Sequence, residues 1–127
     1  MLKKAWIDLP AKDPEKSVQF FKQLGFSEEP QYGTCVSVGE LFVMLSVDSE
    51  FRQNAMNDVA DPKQGTEVMI TVEVASKDEV DDLVIKAGQA GGAIYREPQH
   101  LQGSMYWACF TDLDGHRWNV LYLGGYE

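Results

Sequence analysis

The strongest constraint on this chain is an order of elements that occurs twice. Lys4 to Leu9 alternates and stops at Pro10, which reads as a short strand. Asp13-Pro14 then opens a helix: an aspartate can accept an orphan N–H bond, and proline fits the first helical position. Val18, Phe21 and Leu24 form its buried stripe, and Gly25-Phe26 ends it. Three strands follow, near Ser27–Gln31, Thr34–Val38 and Leu41–Val47, punctuated by Gly33 and Gly39.

A polar stretch from Asp48 to Pro62 reads as a short helix and linker. The plan then repeats. Thr66–Val74 is an apolar strand, and Ser76 with Glu79 spells a capping box. Val80, Leu83, Val84 and Ala87 make a helical stripe that Gly91-Gly92 ends. Strands near Ala93–Arg96, Met105–Asp112 and His116–Leu123 complete it, the last two joined by the turn Asp112-Leu113-Asp114-Gly115. The second copy is displaced by about 60 to 75 residues, and it repeats element order and apolar position rather than sequence. One such module cannot bury both faces of its sheet, whereas two together can, so an α+β duplication within one domain is expected.

Composition narrows the function classes. The chain has 127 residues, enough for one domain, and a formal charge of −9. Phosphate contacts need clustered Lys and Arg, so a nucleic-acid partner is excluded, and anionic membrane is repelled. The charge favours cationic or neutral ligands, or serves solubility alone. Cys35 and Cys109 both sit in apolar strands, with neither a disulfide framework nor metal-ligand spacing. Free thiols, no apolar leader in MLKKAWIDLP and no long apolar span lead us to expect a cytoplasmic protein.

The run Asp8-Leu9-Pro10-Ala11-Lys12-Asp13-Pro14-Glu15-Lys16-Ser17, with Phe20-Phe21 and Leu24-Gly25-Phe26, resembles the opening of the glyoxalase/bleomycin-resistance/dioxygenase (vicinal oxygen chelate) superfamily. The tail Phe110-Thr111-Asp112-Leu113-Asp114-Gly115-His116-Arg117-Trp118-Asn119-Val120 resembles its closing signature. This resemblance implies two βαβββ modules forming an open, barrel-like mixed sheet around a cavity. Module one would lie at about 3–47, a linker at 48–64 and module two at about 65–124 of a single domain spanning 1–127. It also implies a homodimer, to which Tyr122, Leu123, Gly124 and Tyr126 offer an apolar tail.

Metal-dependent members of that superfamily hold a divalent ion with His, Glu or Gln at four strand positions. Carried over, those positions fall on Trp6, Met44, Glu67 and Asn119. Indole cannot ligate, a thioether is too soft, and an amide oxygen is a weak donor, so one carboxylate is left and no metal cofactor is expected. Strand parity sends Val43, Leu45, Trp118 and Val120 to the core. It sends Trp6, Asp8, Phe42, Met44, Glu67, Met69, Arg117 and Asn119 to the cavity, joined by Trp107 and Cys109. Such a lining, aromatic with a few polar groups, suits a small organic molecule. Glu67 on an apolar strand is either a general base, if burial raises its pKa, or a structural partner of Arg117 or Asn119. His100 lies in a run of turn formers, either as an acid–base group or as a solvated side chain. The expected function is metal-independent binding of a small molecule, as in the drug-sequestering members. The alternative is a glyoxalase-like lyase or isomerase with Glu67 as its base.

Overall fold

A computed structural model describes residues 1–124. Of the expected dimer tail, Tyr126 therefore lies outside the described residues. The chain divides into two compact units, Met1–Asp61 and Pro62–Glu127, each with its own sheet.

The first unit runs β1 (Ala5–Pro10), α1 (Pro14–Gln23), β2 (Ser27–Glu28), a 3-10 turn (Pro30–Tyr32), β3 (Cys35–Val38), β4 (Leu41–Ser46) and α2 (Asp48–Ala55). Its sheet has the order β1-β4-β3-β2, with β1 parallel to β4 and the other pairs antiparallel. The Asp13 carboxylate accepts from the Lys16 N–H at 3.2 Å, the cap its sequence foretold. Gly25, at φ +104°, supplies the left-handed residue that ends α1. Val18, Phe21 and Leu24 are buried with Leu9, Val36, Val43 and Leu45, so α1 covers one face of this sheet.

The second unit runs β5 (Met69–Glu73), α3 (Lys77–Gln89), β6 (Ala93–His100), β7 (Tyr106–Thr111) and β8 (Arg117–Tyr122), with sheet order β5-β8-β7-β6. Again the first and last strands of the module pair in parallel. Ser76 Oγ accepts from the Glu79 N–H at 3.2 Å, and the Glu79 carboxylate accepts from the Ala75 N–H at 2.7 Å. The reciprocal cap is therefore present, reaching one residue further back than the usual box. Val80, Val84 and Ala87 of α3 are buried with Val72, Ala108, Phe110, Trp118 and Val120. The predicted fold class stands: two open four-stranded mixed sheets, one packed by α1 and the other by α3, an α+β architecture.

Three strand boundaries differ from expectation. The strand drawn from Thr66 begins only at Met69. β2 is just Ser27–Glu28, because Pro30 starts the 3-10 turn. β6 instead continues through Glu97-Pro98-Gln99-His100, read from sequence as a loop. Proline is tolerated there because β6 is an edge strand interrupted by bulges.

Candidate functional site

The face of each sheet that turns away from its main helix, α1 or α3, follows from register. In the first unit Trp6 pairs with Phe42 and Asp8 with Met44. Trp6 and Phe42 stack at 4.8 Å between centroids, and Tyr32 from the 3-10 turn meets Trp6 edge-on at 4.6 Å. Lys4 Nζ lies 4.9 Å from the Phe42 ring centre and donates to the Tyr32 hydroxyl at 3.2 Å. Trp6 nonetheless remains 40% exposed, so this cluster is a platform and not a core. Beside it Glu29 accepts from Ser37 Oγ at 2.6 Å and from Gln31 Nε2 at 2.9 Å. These bonds, that of Ser37 foremost, hold its carboxyl below the usual range. Burial pushes the neighbouring Cys35 thiol up, which makes it a poor nucleophile.

Asp8 lies further along the same face, paired with Met44. With Ser46, Phe51, Asn54 and Ala55 it lines a cavity of about 180 Å³ beneath α2.

In the second unit Met69 pairs with Arg117, Thr71 with Asn119 and Cys109 with Asn119. Met69, Thr71, Arg117, Asn119, Trp107 and Cys109 therefore share the face opposite α3. Asn119 is buried; its Nδ2 donates to Thr71 Oγ1 at 3.2 Å, and its Oδ1 has no partner. The β6–β7 register shifts by one residue between Ile94 and Arg96, a bulge centred on Tyr95. A bulge breaks the two-residue alternation, so Tyr95 and Arg96 both turn to this face. The Arg117 guanidinium lies 4.3 Å from the Tyr95 ring centre, and that of Arg96 lies 4.8 Å from Trp107. Burial raises the Tyr95 pKa, an effect that Arg117 opposes. Sequence reasoning missed Tyr95 and Arg96, because strict alternation allows only one of two consecutive residues on a given face. A proline inside an extended run was the available signal.

Two expectations require correction. Glu67 is exposed and lies on a bend before β5, not on an apolar strand. It is neither buried as a base would need nor placed against Arg117, whose neighbour is Tyr95. Leu9 and Val72 hold the same place before the caps Asp13 and Ser76, so the residue equivalent to Trp6 is Met69. Likewise Leu45 and Val120 are equivalent, which matches Met44 to Asn119. The four positions are thus Trp6, Met44, Met69 and Asn119: an indole, two thioethers and an amide. Neither the pair on the first unit nor the pair on the second has donors that fit a divalent first-row ion. Among the described residues, no group of three or more His, Cys, Asp or Glu could hold one. The second correction is His100, which is not in a loop. It pairs with Tyr106 on the edge strand, ring to ring at 5.2 Å.

Known proteins bear on this arrangement. The family model for the Glyoxalase/Bleomycin resistance protein/Dioxygenase superfamily matches residues 4–120. A hypothetical protein from S. aureus is 39% identical, with a TM-score of 0.84 over 96% of this chain and 94% of that one. A glyoxalase/bleomycin resistance protein/dioxygenase family enzyme from Burkholderia phytofirmans PsJN is 16% identical, with a TM-score of 0.81 over 94% and 98%. TioX from Micromonospora sp. ML1 is 22% identical, with a TM-score of 0.63 over 95% and 98%. The last two are likenesses of fold alone. No protein of curated function matches the chain.

Proposed function

Because the chain belongs to the glyoxalase/bleomycin resistance protein/dioxygenase superfamily, we propose that it binds a small organic molecule without a metal ion, on the aromatic-bearing sheet faces that α1 and α3 leave uncovered. The observation that carries this reading is the identity of Trp6, Met44, Met69 and Asn119. Side chains at these positions offer flat apolar surface, polarizable sulfur and an amide, which suit an organic ligand better than a hard cation. The face keeps several polar groups beside its aromatic rings, and that mixture fixes a ligand's orientation.

The test is a thermal-shift screen of small aromatic acids, amines and neutral compounds, run with and without chelator. The reading expects hits whose effect is unchanged by the chelator and weakened by Trp6→Ala or Trp107→Ala. Calorimetric titration with Ni²⁺ and Zn²⁺ supplies the opposing arm. Tight stoichiometric uptake of either ion would overturn the metal-independent reading.

A further inference from the structure

The face of the second sheet carries a guanidinium without a carboxylate and two buried polar atoms without a well-formed hydrogen bond. Arg117 is partly buried and rests on Tyr95 by a cation–π contact. Among the described residues, no carboxylate lies within ion-pair distance of it. The Tyr95 hydroxyl is buried; Arg117 and Cys109 are its polar neighbours, and neither makes a well-formed hydrogen bond to it. Asn119 Oδ1, on the same strand as Arg117 and two residues on, is buried and equally orphaned. Buried polar groups are nearly always satisfied, so two such atoms on one face point to a missing partner.

Their chemistry describes that partner. The guanidinium is a cation with a planar set of donors, and the phenol is a further donor. Both are met by a carboxylate, whose oxygens take a guanidinium in parallel and still have lone pairs to spare. The Asn119 oxygen is an acceptor and needs a donor such as a hydroxyl. Exchanging the amide's oxygen and nitrogen would leave an N–H unmet instead, and a hydroxyl, which both donates and accepts, meets either end. We propose that this face binds a small 2-hydroxycarboxylate bearing a flat apolar group. Its carboxylate lies on Arg117 and Tyr95, its hydroxyl donates to Asn119, and its apolar group lies against the ring of Trp107.

The inference rests on the metal-independent binding reading and sharpens its ligand class. It also reverses the sign suggested by the net charge of −9. Net charge governs the distant approach of a ligand; an uncompensated guanidinium in a partly desolvated site governs what stays. Entry requires side-chain movement on this face. Arg117 has no carboxylate to give up, so moving from the ring onto the ligand exchanges only its contacts with Tyr95.

The test is an amide-shift NMR titration of the full chain with three probes: mandelate, phenylacetate (no hydroxyl) and mandelamide (no charge). The expected result is that mandelate shifts Tyr95, Arg117 and Asn119, with phenylacetate and mandelamide each at least tenfold weaker. Arg117→Gln should lower mandelate affinity at least tenfold, and Arg117→Lys should restore only part of it. Asn119→Leu should erase the preference for mandelate over phenylacetate. Asn119→Asp, which sets a carboxylate beside the ligand's own, should abolish mandelate binding if the leucine variant does not fold. Arg52→Gln, on α2, should change nothing. Amines or neutral aromatics that shift this face while mandelate does not would overturn the inference and leave the binding reading intact. So would mandelate affinity unmoved by Arg117→Gln. No response to any class of compound would overturn both.

Discussion

The indole Nε1 of Trp118 donates to Asp112 Oδ2 at 3.1 Å, tying the two most distinctive residues of the closing motif across the last hairpin. The other oxygen of Asp112 accepts from the backbone N–H groups of Asp114 and His116, each at 3.0 Å. One carboxylate therefore shapes the turn and fixes the largest core side chain. This explains in physical terms the spacing of Asp112, Gly115 and Trp118: the acid accepts three bonds, and Gly115 takes the positive φ of +87° that closes the turn.

Asp112→Asn should be destabilising. Asparagine has a single acceptor oxygen, so its NH₂ must oppose either the indole N–H or the backbone donors. Leaving a buried donor unmet costs about 1–3 kcal/mol. Chemical denaturation at neutral pH checks this, and an unchanged midpoint would contradict the role assigned to the acid.

The same residue gives a pH dependence with a definite sign. Desolvation, the largest influence, raises the Asp112 pKa, while the charge of His116 and the hydrogen bonds work the other way. A carboxyl whose folded pKa lies above its unfolded value stabilises the fold below the unfolded pKa. That contribution is lost as pH rises through the folded value. The neutral acid still offers a lone pair to Trp118, whereas the asparagine amide does not. The stability gap between the native chain and Asp112→Asn should therefore narrow as pH rises through the acid's titration. Melting temperatures of both proteins across that range measure it, and a widening gap would show that the hydrogen bonds outweigh burial.

Trp118 is fully buried and stacks on Phe110 with ring centroids 6.2 Å apart. Removing it leaves a large cavity and an orphaned Asp112, so Trp118→Ala should cost about 3–5 kcal/mol or more. Against a typical total of about 5–15 kcal/mol, this variant should be largely unfolded at moderate temperature, as circular dichroism would register. Glu67→Gln, on the exposed bend before β5, should stay within about 0.5 kcal/mol of the native chain. It should also leave ligand binding unchanged, and a binding defect there would return Glu67 to the site.

What the sequence made legible follows local rules. The caps at Asp13 and Ser76, the stripes of α1 and α3 and the turn at Asp112 are set by residues within a few positions of each other. The order of elements exposed the duplication for the same reason. Register was less legible, because it depends on partners far along the chain. Glu67 looked like the equivalent of Trp6 until pairing placed Met69 there. Tyr95 was invisible because a bulge suspends the alternation on which face assignment depends. Edge-strand tolerance likewise hid β6 behind Pro98, whose missing N–H would have broken an interior strand.

Gly25 and Gly91 end the two main helices in matching places, at φ +104° and +108°, and they separate backbone strain from crowding. A Cβ at Gly25 meets nothing within 4 Å, whereas one at Gly91 comes to 3.0 Å from the Leu113 side chain. Both Gly→Ala variants must hold alanine in a region that L-residues avoid, at a cost of about 1–3 kcal/mol each. Gly91→Ala carries the added contact. Leu113 is 39% exposed and can rotate away, so the excess over Gly25→Ala should stay below about 1 kcal/mol. Pairing Gly91→Ala with Leu113→Ala should erase that excess and leave the strain shared with Gly25→Ala. A double variant as unstable as the sum of its single changes would place the cost in the backbone alone.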